Sequence, residues 1–106
     1  MNRGDIYWVN LDAGTGSEIN KIRPCVIISA SALNKARRTV IVVPLSSNPT
    51  AKPPLLIPTH SMENPGVLVC DQIKAIDKNR LKDKISSLNR EEMSLLEDSL
   101  RIILGL

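Results

Sequence analysis

The chain has 106 residues, which suffices for a single domain, residues 1–106, with one modest hydrophobic core. Hydrophobic residues make up 42% and charged residues 24%, and no apolar run approaches the roughly 18 residues of a membrane span. The first residues lack the apolar segment of a signal peptide, so we expect a cytoplasmic protein with no membrane contact.

The net charge of +3 is small, but the charges are unevenly distributed. Residues 74–84 carry five basic side chains against two acidic ones, whereas residues 89–104 carry two basic against four acidic. One side of the molecule is therefore predicted to be basic, which suits a polyanionic ligand held on one face.

Cys25 and Cys70 are the only cysteines, and each lies within an apolar, strand-like run. Neither has a second Cys or a His at metal-ligand spacing, so both are predicted to be buried free thiols. The aromatic residues are Tyr7 and Trp8 alone, so a bound nucleic acid is expected to gain little from stacked side chains.

The first half of the chain alternates apolar runs with polar connections. It predicts three strands, at Asp5–Leu11, Pro24–Ala30 and Thr39–Leu45. The Gly- and Ser-containing loop after the first strand ends at Arg23, and residues 31–38 form a turn or a short helical piece.

The second half opens with the most loop-like stretch, residues 46–54, which contains three prolines. Three short strands follow, at Leu55–Ile57, Val67–Cys70 and Gln72–Ile76. Asn89 and Glu92 then form a capping-box pattern, and Gly105 is a C-terminal cap for an amphipathic helix. The predicted fold is mainly β, a small bent antiparallel barrel with one C-terminal α-helix.

The most informative residue is Arg23, which directly precedes the second predicted strand. Pro24 has a fixed φ and favours extended geometry at Arg23, so the guanidinium is presented by a rigid element. An arginine held in this way is suited to binding an anion.

Several catalytic classes are not supported by the sequence. The acidic residues are scattered and His60 is the only histidine, which disfavours a metal centre and a two-histidine ribonuclease. The remaining polar cluster at strand ends can bind a phosphodiester and stabilise charge on phosphorus; it comprises Glu18, Arg23, Ser46, Ser47, Asp71, Gln72 and Lys74. On composition and spacing alone, a surface salt bridge at Arg23 and loop-shaping roles for Ser46 and Ser47 are the favoured explanation of these residues.

Five sequence blocks give the cluster a sharper interpretation. They are Gly4–Val9, Gly16–Glu18, Arg23–Ser29, Val43–Ser47 and Asp71–Lys78. In this order they resemble the MazF/PemK family of toxin endoribonucleases, and with the last helix they cover nearly the whole chain.

The resemblance implies an SH3-like barrel of the MazF/CcdB-like toxin fold that works as a homodimer and is neutralised by a cognate antitoxin with an acidic disordered tail. It implies contact with DNA only through the antitoxin complex. It further implies metal-independent, cofactor-free cleavage of single-stranded mRNA at short sequences, leaving 2′,3′-cyclic phosphate and 5′-hydroxyl ends.

The resemblance also implies roles for individual residues. Arg23 matches the catalytic arginine, and Ser46 matches a catalytic position usually held by Thr, so the hydroxyl is kept. Other matched or neighbouring positions are implied to bind RNA: Glu18, Asn20, Ser47, Gln72 and Lys74. Ile22 stands where some members have His, so the general base is left unassigned. Lys78–Leu81 is implied to be a tight turn.

Two other functions remain open at this stage. A gyrase-poisoning toxin of the same fold would act by binding, but the C-terminus Ile-Leu-Gly-Leu lacks the Trp-Gly-Ile tail of such inhibitors. A non-catalytic SH3-like adaptor would expose several aromatic residues for proline-rich ligands, and this chain has two.

Overall fold

A computed structural model describes residues 1–11, 22–48 and 50–106 of the chain. The strands in these ranges are β1 Asp5–Asn10, β2 Ile22–Ile27, β3 Thr39–Ser46, β4 Leu56–Thr59, β5 Gly66–Val69, β6 Lys74–Asp77 and β7 Leu81–Ser87. The helices are α1 Ser31–Ala36 and α2 Arg90–Leu104. Neither helix is long and apolar enough to cross a membrane.

The strands form one antiparallel sheet in the order β4-β5-β3-β2-β1-β7, with β6 also paired to β3. Val42 of β3 lies between Ile27 of β2 and Lys74 of β6, so these two strands flank β3 on opposite edges. Further along β3, Leu45 and Ser46 pair with β5. Because β3 changes partners along its length, the sheet bends into a barrel-like shape, and the predicted mainly β fold with a C-terminal helix is confirmed.

Strand β2 starts at Ile22, two residues before the predicted start, and ends at Ile27. Pro24 pairs with Trp8 of β1. It has no N–H to donate, and it lies outside the register between β2 and β3, which covers Cys25 to Ile27. Arg23 is therefore the second residue of a strand and is held by β1 through its pairing with Val9.

Strand β7 was not predicted, because its sequence contains several charged side chains and few apolar ones. Its pairing with β1 supplies the missing stabilisation, with Tyr7 opposite Lys84 and Val9 opposite Leu81. A 3₁₀ turn, Lys78–Arg80, precedes it, and the Asp77 side chain accepts a hydrogen bond from the Asn79 N–H at 2.8 Å. The tight turn implied at this point by the family resemblance is confirmed.

Two clusters of buried side chains stabilise the fold. The first lies between the sheet and α2 and comprises Ile6, Val26, Val43, Leu45, Ile57, Leu68, Cys70, Leu88 and Leu96. The second comprises Val9, Cys25, Ile27, Val40, Val42 and Ile76. Each cluster holds one free cysteine, as predicted, and burial raises the thiol pKa of Cys25 to about 12 and of Cys70 to about 11.

The ends of α2 follow the predicted caps. The Asn89 side chain accepts from the Glu92 N–H at 2.8 Å, and the Glu92 carboxylate accepts from the Asn89 N–H at 3.3 Å. Gly105 has φ of 71°, the left-handed conformation that glycine adopts without a Cβ penalty. Both termini of the helix are thus defined by local sequence.

Candidate active site

A cavity of about 640 Å³ opens where β2 begins and β3 ends. The two strands are antiparallel, so these two ends lie at the same edge of the sheet. Its lining includes Arg23 of β2 and Ser46 and Ser47 at the end of β3, three residues that the sequence placed in one candidate site.

Arg23 is exposed at the mouth of this cavity. Within the described part of the chain, its guanidinium makes no ion pair or hydrogen bond. A salt bridge to a described residue therefore does not account for its position. Glu18, which the sequence analysis placed in the same polar cluster, lies outside the described residues.

Ser46 is half-buried, and its side-chain oxygen accepts a hydrogen bond from the Asn48 N–H at 3.3 Å. A hydroxyl that accepts from the backbone still has its own proton to donate. Ser46 thus combines a fixed orientation with a free donor. Ser47 beside it is exposed.

Lys74 and Gln72 do not line the cavity among the described residues, although both are exposed. Lys74 lies on β6 opposite Val42, and strand alternation puts it on the same face as Cys25 and Arg23. Burial dominates the pKa of the Cys25 thiol, and both cations act on it in the opposite direction. Lys74 and Arg23 therefore both lie near Cys25 on this face of the sheet. Asn20, like Glu18, lies outside the described residues.

Trp8 is a cavity residue that the sequence analysis did not select. It pairs with Pro24 and remains 39% exposed, which is enough ring surface for a base to stack on. Trp8 is the one aromatic residue among the described lining residues, and the expectation of little help from stacking stays a prediction. The signal that could have pointed to Trp8 was its place in a half-buried strand, opposite Pro24 of the neighbouring strand.

Another wall of the cavity was also missed. It is formed by Thr59, Gly66 and the turn between β4 and β5, residues 60–65, here called the β4–β5 turn. Within the turn, the exposed side chains of Glu63 and Asn64 line the cavity. Their position depends on how the hairpin packs, which the sequence pattern does not indicate.

The buried carboxylate of Glu92 in α2 anchors this wall. Oε2 accepts from the Thr59 hydroxyl and from the His60 N–H, both at 2.8 Å, and Oε1 accepts from the Ser61 hydroxyl. Burial alone raises the pKa of Glu92, but these bonds and the one from the Asn89 N–H outweigh it and hold the pKa below the ordinary value.

Acid is therefore expected to destabilise the protein through Glu92. Since its folded-state pKa is below its unfolded value of about 4.5, the carboxylate contributes stability above that pH and loses it as the pH falls through the folded pKa. The pKa of Asp5 is also lowered: burial raises it, but bonds from Asn2, Ser87 and Lys84 outweigh that effect.

The change that checks this is Glu92→Gln. Urea unfolding between neutral pH and about pH 3 should show a smaller acid-induced loss of unfolding free energy in this variant than in the parent protein. Asp5 keeps its own contribution, so the loss becomes smaller without disappearing. Parallel curves for the two proteins would contradict the assignment.

The described His, Cys, Asp and Glu side chains include no group of three that could hold a metal ion. The cavity instead combines a guanidinium, hydroxyls, an exposed indole, a carboxylate and an amide. Guanidinium and hydroxyl donors bind phosphate oxygens and stabilise charge on them, and the amide and carboxylate suit base edges. This combination fits a nucleic-acid phosphodiester.

Comparison with known proteins gives the family. Residues 2–104 match the PemK-like, MazF-like toxins of type II toxin–antitoxin systems. The chain belongs to this family. Endoribonuclease MazF of Staphylococcus saprophyticus is 36% identical over 100% of this chain and 92% of its own length. Endoribonuclease EndoA of Bacillus subtilis is 34% identical over 100% and 96%. The predicted family and enzyme class, endoribonuclease, are therefore confirmed.

Solved structures agree with the MazF-like fold. A mycobacterial endoribonuclease in complex with its cognate antitoxin superposes with a TM-score of 0.82 at 25% identity, covering 100% of this chain and 96% of that one. MazF from Deinococcus radiodurans gives 0.84 at 19% identity, covering 100% and 97%. At the latter identity the likeness concerns the fold alone, and it confirms the predicted toxin fold.

Proposed function

We propose that this MazF-like toxin cleaves single-stranded mRNA in the cytoplasm, at selected short sequences and without a metal ion. The products are a 2′,3′-cyclic phosphate and a 5′-hydroxyl. The observation that carries the proposal is the meeting of Arg23 and Ser46 in one cavity at the ends of two paired strands. These are the two residues for which the family resemblance implies a catalytic role.

In the proposed reaction the 2′-hydroxyl oxygen of the RNA attacks the adjacent phosphorus and loses its proton. The bond from phosphorus to the 5′-oxygen breaks, and that oxygen leaves with a proton. Arg23 stabilises the negative charge that builds on the phosphoryl oxygens, because a guanidinium donates two parallel hydrogen bonds. Ser46 donates its hydroxyl proton to one of these oxygens and fixes the phosphate relative to Arg23.

RNA binding is proposed to extend on both sides of the scissile phosphate. Lys74 contributes charge on the same face of the sheet as Arg23, and the ring of Trp8 offers a surface for a base. The full set proposed from the sequence is Glu18, Asn20, Ser47, Gln72 and Lys74. A single strand exposes the base edges that a duplex uses for pairing.

The proposed partners are a second copy of the chain and a cognate antitoxin. The mycobacterial relative was solved with its antitoxin, which supports the same kind of pairing here. An acidic disordered tail would fold over the basic face and compete with RNA for Arg23 and Lys74. DNA contact is proposed only through the antitoxin.

The test is cleavage of single-stranded RNA by the purified protein in excess EDTA. We expect cutting at a small set of sites, with cyclic phosphates detected by mass spectrometry and 5′ ends that polynucleotide kinase labels directly. Activity that EDTA abolishes and Mg²⁺ restores would overturn metal independence. Intact RNA combined with inhibited DNA supercoiling would instead identify a gyrase-poisoning toxin.

A further inference from the structure

Glu92 makes more hydrogen bonds than a helix cap requires. A capping box needs only the two hydrogen bonds between Glu92 and Asn89, the N-cap residue of the same helix. Three further donors come from consecutive residues in another part of the fold, namely Thr59, His60 and Ser61. A buried carboxylate is costly without such partners, so helix α2 and the start of the β4–β5 turn are held together.

The far end of the β4–β5 turn is fixed by β3. Gly66 pairs with Thr59, and the next residue, Val67, pairs with Ser46. A Cβ on Gly66 would overlap the Ser46 carbonyl oxygen, so the turn runs directly against the backbone of the proposed catalytic serine. The turn is thus attached at one end to Glu92 and at the other to Ser46.

Between these two attachments the turn presents polar side chains to the cavity. Glu63 and Asn64 are exposed and line the same cavity as Arg23 and Ser46. A carboxylate accepts hydrogen bonds from exocyclic amino groups, which uracil lacks, and an amide side chain pairs with base edges in both directions. This chemistry distinguishes bases and contributes little to binding phosphate.

We propose that Glu92 is a positioning residue that holds the β4–β5 turn as the specificity-determining wall of the RNA site, with Glu63 accepting from the amino group of one base. The inference rests on the proposed RNA cleavage. It assigns the selectivity of cutting to a turn and a helix residue that act without touching the scissile phosphate.

The first experiment compares Glu92→Gln with Glu91→Gln on a randomised single-stranded RNA pool. Both variants remove one negative charge from the first turn of α2, but Glu91 is exposed whereas Glu92 is buried. We expect Glu92→Gln to lose about tenfold in discrimination against uracil at one position, with KM changed more than kcat. Glu91→Gln should cut as the parent does, and Glu63→Gln should lose selectivity at that same position.

Asn89→Ala separates positioning from stability. It removes the cap on the Glu92 N–H, which weakens the helix, but the bonds from Glu92 to Thr59, His60 and Ser61 stay in place. Its cleavage pattern should therefore match that of the parent. If Glu92→Gln cuts the same sites with the parent kcat/KM, or if Asn89→Ala loses selectivity equally, the proposal is overturned.

Amide hydrogen exchange provides a readout that does not depend on RNA cleavage. In Glu92→Gln, the His60 and Ser61 amides, which donate to the Glu92 carboxylate and to the Thr59 hydroxyl, should exchange at least about tenfold faster while those of β1 and β2 keep the parent rates. Unchanged exchange in the turn overturns the inference. A parent protein that cuts no RNA overturns the proposed function instead, and the exchange result still decides whether Glu92 holds the turn.

Discussion

Arg23→Ala is expected to lower the rate of RNA cleavage by about 100- to 1000-fold while the protein stays folded. The guanidinium is exposed at the mouth of the cavity, so its loss opens no hole in either core. The fall should appear mainly in kcat, because the charge that Arg23 stabilises is greatest in the transition state. Initial rates on a single-stranded RNA substrate measure it.

Two companion variants sharpen this test. Arg37→Ala removes the same charge from an exposed site just before β3, at the opposite end of that strand from Ser46, and should leave cleavage unchanged. Arg23→Lys keeps the charge but not the planar fork, so an intermediate rate is expected. Parent-like activity in a folded Arg23→Ala protein would remove Arg23 from the mechanism.

Gly66→Ala is expected to cost about 2 to 3 kcal/mol of unfolding free energy, the upper part of the range for overpacking. The new methyl group would overlap the Ser46 carbonyl oxygen and lie 3.4 Å from its carbonyl carbon. Both are backbone atoms, so no side chain can rotate away, and β3 and β5 must separate locally. Cleavage should fall as well, since Ser46 moves with its backbone.

Gly105→Ala is the matched control for Gly66→Ala. Nothing lies within 4 Å of the added Cβ, and the strain comes from the φ of 71° alone. A loss of about 1 kcal/mol with unchanged cleavage is expected. Urea unfolding and initial rates compare the two variants, and a Gly66→Ala protein that unfolds at the parent midpoint would disprove the close contact.

The parts of the site that follow from local pattern were predictable. Pro24 and the β-branched run after it located β2, and the polar residues after the third strand located Ser46, whereas the catalytic roles proposed for Arg23 and Ser46 came from the family resemblance. The capping box gave Glu92 its place at the start of α2. In each case the determining residues lie within a few positions of one another, where propensity and periodicity apply.

The remaining parts depend on contacts between distant segments. Strand β7 has weak intrinsic preference and forms because β1 pairs with it. Glu92 bonds to residues 59–61, some 31 to 33 positions away, and this is invisible in a helical pattern. Glu63 reaches the cavity because the β3–β5 register sets Gly66 against Ser46. No short-range rule contains this information.

The pairing of β1 with β7 has a consequence for how the toxin is made. Asp5 lies opposite Ser87, so one edge of the first strand stays without its partner until most of the chain has been synthesised. Helix α2, which covers the first core, is made later still. A nascent chain that stops before residue 81 has neither β7 nor α2. Long-range pairing of this kind also forms slowly. Toxicity should therefore require translation to continue through both β7 and α2.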